Sequence, residues 1–300
     1  MIVEARDLWK QFGRIDSVRG ASFSVPEGSA FALIGANGAG KTTTMRLLMN
    51  IITASKGNAT VLGVDSRELG PKQLARIGYV SENVELPERL RVGDYVAYLR
   101  PFYPDWDAVL ENTMLQQFHL PVERRIADLS HGMRMKLALL CGLAYHPKLL
   151  VLDEPFGGID SLARDQIMEG VLRQAEDTTI IISSHDIREI EGMVTHVALL
   201  EQGRILFQDS METLSERLRE IRVTLDGEAR ALREMPLEWL DTRVTGNLLT
   251  FVDTRYCENE LGPRLKALMG PVRNIEASPM SLRAIFTAYA SAAQKNGDAA

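Results

Sequence analysis

Residues 29–52, SAFALIGANGAGKTTTMRLLMNII, constrain this chain more than any other stretch. Residues 30–34 are a short apolar run suited to a buried parallel strand, 35–40 form a turn, and Met45, Leu48, Met49 and Ile52 recur at helical spacing. Within this strand, glycine loop and helix, Gly35-x-x-x-x-Gly40-Lys41-Thr42 matches the phosphate-binding loop pattern in full and in the structural context it requires. Backbone N–H groups converge on a phosphate only where no β-carbon obstructs them, and the helix N-terminus adds partial positive charge. Lys41 is then the cation for the outer phosphates and the Thr42 hydroxyl a magnesium ligand.

Two further strands carry polar groups at their ends. In HPKLLVLDEPFGGID, residues 149–152 are continuously apolar and run into Asp153 and Glu154, so both carboxylates emerge where open α/β sheets bind ligands. Asp153 fits the acceptor that orients magnesium and its water, and Glu154 is placed to polarise an attacking water. In TTIIISSHDIREIEGM, residues 178–182 read as a buried strand followed by Ser183, Ser184 and His185. Adjacent residues on one turn do not form a nucleophilic relay. A histidine ending a strand beside a phosphate loop instead points to contact with the γ-phosphate.

A polar triplet, Ser130-His131-Gly132, heads the apolar run of DLSHGMRMKLALL, where Ser130 suits a helix cap. Taken together, Phe12, GANGAGKTT (35–43), YVSEN (79–83), LSHGM (129–133), LLVLDEP (149–155), GGID (157–160) and His185 have the order and spacing of an ATP-binding cassette subunit, which residues 2–218 resemble. The resemblance implies an α/β P-loop NTPase with a RecA-like core, an antiparallel β subdomain and a helical subdomain. It implies ATP and Mg2+ as ligands, with Phe12 stacking on adenine and Asn37, Gly38, Gly40, Lys41, Thr42 and Thr43 binding the nucleotide. It makes Glu154 the catalytic base and His185 the switch histidine, with Thr42, Glu82 and Asp153 around the metal. Ser130, His131, Gly132 and Met133 become the signature that reaches ATP held by a second copy, and Asp160 lies in the loop crossing that interface.

Three motifs depart from the commonest family pattern: Glu82 stands for glutamine, His131 and Met133 for glycine and glutamine, and Ala36 for proline. Such variants resemble the ATPase subunits that partner two-subunit bacterial efflux or export permeases. The implied function is ATP-driven head-to-tail dimerisation and hydrolysis that energise a separate membrane permease, an exporter. A soluble cassette acting on nucleic acid or ribosomes would bring a long heptad insertion or two cassettes in one chain, and a small-molecule kinase would leave LSHGM without a role.

Composition agrees with this reading. A net charge of −6 without a long basic run argues against a nucleic-acid partner. Cys141 and Cys257 are far apart and lack ligand-spaced neighbours, which indicates neither a disulfide framework nor a zinc site and fits a reducing cytoplasm. The N-terminal MIVEARDLWKQF lacks the apolar core of a signal peptide, and the longest apolar run, residues 137–145, is about half of what a spanning helix needs. The expected location is the cytoplasmic face of the membrane, peripherally bound.

Between the motifs, residues 85–128 look helix-rich, with a break at Pro101 and Pro104. They open the helical subdomain, about 85–150, in which Tyr98, Phe102, Tyr103 and Trp106 are candidates for permease contact. From residue 219 the pattern changes: Ile221, Val223 and Leu225 alternate, as do Leu249 and Phe251, and helical stretches follow near 258–269 and 281–293. The expected division is a nucleotide-binding domain, 1–218, and a small C-terminal α+β domain, 219–300, with the final KNGDAA frayed.

Overall fold

Strands β1 (Val3–Phe12) and β2 (Ile15–Val25) begin the first of two units, Met1–Gln208, in the computed structural model, which describes residues 1–173, 178–227, 236 and 238–297. There follow β3 (Ala30–Ile34), α1 (Lys41–Leu48), β4 (Lys56–Val61), β5 (Val64–Asp65), α2 (Pro71–Leu74), β6 (Ile77–Ser81), α3 (Val92–Leu99), α4 (Ala108–Gln117) and α5 (His131–Leu143). The last elements are β7 (Leu149–Asp153), α6 (Ser161–Leu172), β8 (Thr179–Ser184), β9 (His196–Glu201) and β10 (Arg204–Ser210). They form an antiparallel sheet, β2-β1-β4-β5, and a six-stranded sheet, β10-β9-β3-β8-β7-β6, whose pairs from β9 to β6 are parallel.

The apolar run AFALI becomes an inner strand because β3 is hydrogen-bonded on both sides, to β8 and β9, and all five residues are buried. One core joins the two sheets: Val3, Leu8, Val18 and Val25 from the antiparallel sheet meet Phe31, Leu33, Val151 and Ile181 from the parallel one, with Met45, Leu47 and Leu48 of α1. The apolar period that continues to Ile52 is not all helix. α1 ends at Leu48, and Asn50 takes a left-handed φ of +55° that breaks the spiral. Parallel register sets the site, because Ser81 pairs with Asp153 and Asp153 with Ser183, so three strand ends lie abreast.

Helices α4, α5 and α6 start at side-chain caps. Asp107 accepts from the N–H groups of Val109 and Leu110 at 2.7 and 2.9 Å, Ser130 from that of Met133 at 3.3 Å, and Asp160 from that of Ala163 at 2.8 Å. The Pro101–Pro104 stretch does break the helical run, separating α3 from α4 through a short 3₁₀ turn, Arg100–Phe102. Buried Glu111 of α4 holds that turn, accepting two hydrogen bonds from the Arg100 guanidinium, at 2.8 and 2.6 Å, and one from the Trp106 indole at 2.8 Å. The four aromatic candidates therefore divide. Tyr103 stacks on Tyr145 with ring centroids 4.0 Å apart and Trp106 turns to Glu111, whereas Tyr98 and Phe102 lie exposed side by side.

The second unit, Asp209–Ala300, contains α7 (Met211–Arg217), β11 (Arg219–Leu225), β12 (Trp239–Thr245), β13 (Leu248–Asp253), α8 (Glu258–Met269), β14 (Val272–Pro279) and α9 (Leu282–Gly297). Its antiparallel sheet runs β12-β13-β11-β14, the strand order of a split β-α-β fold, although most of the crossover from β11 to β12 lies outside the described residues. The alternation expected at Ile221, Val223 and Leu225 is real: all three are buried against Leu249, Phe251 and the α8 residues Leu261 and Leu265. Of the terminal KNGDAA, α9 takes in residues 295–297, and 298–300 lie outside the described residues.

Candidate functional site

The loop between β3 and α1 has the backbone that its glycines permit. Gly38 and Gly40 adopt φ of +82° and +107°, and a β-carbon on Gly40 would collide with the Ser17 carbonyl, as one on Gly35 would with that of Leu200. Because α1 begins at Lys41, its free N–H groups and positive end face the loop. Lys41 is buried under that loop: its Nζ donates to the carbonyls of Gly35 at 2.7 Å and Ala36 at 3.1 Å, and pairs with Glu154 Oε1 at 3.0 Å.

The two carboxylates after β7 have different surroundings. Asp153 is buried, and its Oδ1 accepts from Thr42 Oγ1 at 3.1 Å and from Ser183 Oγ at 2.7 Å. Its Oδ2 faces the Tyr79 hydroxyl at 3.5 Å, and burial, reinforced by the Asp153 charge, pushes the Tyr79 phenol up. Glu154 takes a left-handed φ of +51° and holds two cationic or donor groups, with Oε1 on Lys41 and Oε2 2.9 Å from Nδ1 of His185. One cleft of about 320 Å³ is lined by Ser17, Asn37, Gly38, Gly40, Lys41, Thr42, Thr43, Glu82, Glu154 and His185. Four sequence motifs, the phosphate loop, YVSEN, LLVLDEP and His185, thus meet in one place.

Apart from Glu82, which lines the cleft, the remaining candidates lie elsewhere. Phe12 ends β1 about half exposed, with the Lys10 ammonium 4.9 Å from its ring centre, and is not among the residues lining the cleft. Ser130, His131, Gly132 and Met133 form the start of α5 and do not line the cleft of their own chain. The His131 ring is engaged within the chain, Nε2 donating to the Gly157 carbonyl at 3.0 Å. Asp160 caps α6, and Glu82 N–H donates to the Asp153 carbonyl at 2.9 Å.

Sequence reasoning missed one residue here and the partners of another. Ser17, whose hydroxyl lies 2.8 Å from that of Thr43, sits on β2 with no local signal to single it out. Ser183 was visible as a strand end, but its partners depend on which strand lies beside it. As a metal site, Thr42, Asp153 and Glu82 offer only oxygen, the donor set of a hard cation such as Mg2+. No group of three or more His, Cys, Asp or Glu that could hold a metal ion is found among the described residues.

Residues 18–157 match the family model described as ABC transporter. The ABC transporter ATP-binding protein YtrB of Bacillus subtilis (strain 168) is 29% identical over 80% of this chain and 83% of its own length. The bacitracin transport ATP-binding protein BcrA of Bacillus licheniformis is 30% identical over 73% of this chain and 72% of its own. Among solved structures, a dimeric ATP-binding cassette in a post-hydrolysis state, bound to ADP and Pi, shares the fold with a TM-score of 0.62 and 19% identity. The likeness covers 70% of this chain and 98% of that one.

Proposed function

Because the chain belongs to the ABC transporter family, among its ATP-binding proteins, we propose that it is the ATPase subunit that energises a separate membrane permease, an exporter. The observation that carries this reading is Glu154, held over the phosphate loop between Lys41 and His185. The Lys41 ammonium is shared by two carbonyls and the Glu154 carboxylate. ATP phosphates are stronger partners for that cation, so binding frees Glu154 Oε1 to accept a proton from water while His185 keeps hold of Oε2. Mg2+, when held by Thr42, Asp153 and Glu82, neutralises charge on the outer phosphates.

The signature residues support a second copy as partner, since Ser130 and Gly132 stand away from the cleft of their own chain, and Asp160 heads the neighbouring helix. Phe12 remains our candidate for the adenine. Among the described residues no helix is long and apolar enough to cross a membrane, and in this reading the permease is a separate chain. Its contact lies within residues 82–110, where Tyr98 and Phe102 form an exposed aromatic pair. The location that follows is the cytoplasmic face of the membrane. Names of relatives such as the bacitracin transport protein and a Nod factor export protein favour the export branch.

Glu154→Gln tests the chemistry. It keeps size and hydrogen bonding but removes the carboxylate, so ATP still binds while steady-state phosphate release falls by roughly two or more orders of magnitude. Hydrolysis at the parent rate would remove Glu154 as the base.

A further inference from the structure

We propose that Ser183 is a positioning residue for hydrolysis: its buried hydroxyl holds the main chain of Glu154 and so places the carboxylate. The proposal rests on Glu154 being the base. Ser183 ends the apolar part of β8 and is fully buried. Parallel pairing sets it opposite Asp153, the last residue of β7. There Ser183 Oγ donates to Asp153 Oδ1 at 2.7 Å and accepts from the Glu154 N–H at 3.0 Å. A carboxylate can only accept and an amide N–H only donate, so the group between them must do both, and a hydroxyl is the smallest side-chain group that can.

Glu154 needs that hold. The β7 ladder ends at Asp153, and the next residue turns into the left-handed region at φ +51°, which a glutamate rarely occupies unless its surroundings impose it. Without Ser183 Oγ the Glu154 N–H loses its partner at the residue whose carboxylate must reach both Lys41 and His185. The neighbouring hydroxyl has other work: Ser184 Oγ donates toward the Asp186 carbonyl and Glu189 Oε2 and accepts from the Asp186 N–H, all within 3.1 Å. Nor is Ser183 a nucleophile, since its proton faces Asp153 and it does not line the cleft.

The test uses the full chain with Ser183→Ala, Ser183→Thr and Ser183→Cys, each alone and with Glu154→Gln. Single-turnover hydrolysis is measured beside nucleotide Kd from titration with a fluorescent ATP analogue. Ser183→Ala should slow hydrolysis by about tenfold to a hundredfold, the scale of a displaced catalytic group, with Kd within about twofold because the phosphate loop is untouched. Ser183→Thr, which keeps the hydroxyl, should recover most of the rate. With Glu154→Gln already present, Ser183→Ala should slow the residual reaction by less than about twofold, because the two act through one group. A parent rate for Ser183→Ala, or equal fold losses in both backgrounds, overturns the proposal. If the alanine variant does not fold, Ser183→Cys, a near-isostere with a weak donor, takes its place: a parent rate overturns the proposal and a slowed rate with unchanged Kd supports it. Glu154→Gln alone at the parent rate would instead bring down the base assignment, and with it the role given to Ser183.

Discussion

At Gly157 a single missing methyl decides where a carboxylate can lie. A β-carbon there would overlap the Glu82 carboxyl group, and the peptide carbonyl of the same residue accepts from His131. The φ of Gly157 is not in the left-handed region, so alanine meets no backbone penalty. What gives way is the end of the Glu82 side chain. If Glu82 helps to hold Mg2+, Gly157→Ala should raise the Mg2+ concentration for half-maximal hydrolysis by about tenfold, as displaced metal partners do, and leave metal-free nucleotide binding unchanged. A Mg2+ titration of phosphate release beside nucleotide titration in EDTA checks both, and an unchanged Mg2+ requirement removes Glu82 from the metal. For His131, the bond to Gly157 places the ring nitrogen against its own chain, a contact that the spacing of LSHGM does not disclose.

Between elements, the decisive contact is the seat of α5 on β6. Gly78 and Gly142 let strand and helix approach closely: a β-carbon at Gly78 would stand 2.6 Å from the Gly142 carbonyl oxygen and 2.8 Å from Leu150 Cδ1. One obstacle is backbone and the other is a fully buried side chain, so neither yields cheaply. Gly78→Ala should destabilise the first unit by about 1–3 kcal/mol, the usual cost of overpacking. Thermal unfolding followed by circular dichroism measures it, and an unshifted midpoint would mean that α5 can lift from β6 without cost. Because α5 carries Ser130 at its N-terminus, this seat also sets where the signature stands.

For the molecule as a whole, the separation of LSHGM from the cleft of its own chain makes a concentration test informative. If Ser130 and Gly132 complete the site of a second copy, hydrolysis per mole of chain should rise with protein concentration until dimers saturate. Phosphate release across a wide dilution series would reveal this, and a flat line would show that one chain suffices. The C-terminal unit has its own core around Phe251, which stacks on Trp239 with ring centroids 4.0 Å apart, so it is a folded body rather than a tail.

Much of this protein was legible because its signals are local. An apolar run, a glycine loop and a helical period lie within residues 29–52, and the backbone of the loop follows from glycines that alone fit φ of +82° and +107°. Strand ends were legible as well, since Asp153 and Glu154 follow four apolar residues and His185 follows another such run. Tertiary structure alone decided what those ends touch. That Ser183 bridges Asp153 and Glu154 depends on β8 lying beside β7 in one parallel register, a pairing across thirty residues that no local pattern encodes. The aromatics from Tyr98 to Trp106 divide for the same reason: Tyr145, distant in sequence, packs against Tyr103 and Trp106, whose indole also bonds nearby Glu111, and Tyr98 and Phe102 are left outside. Local sequence sets backbone shape through sterics and period, whereas side-chain partners are chosen by whichever element packs alongside.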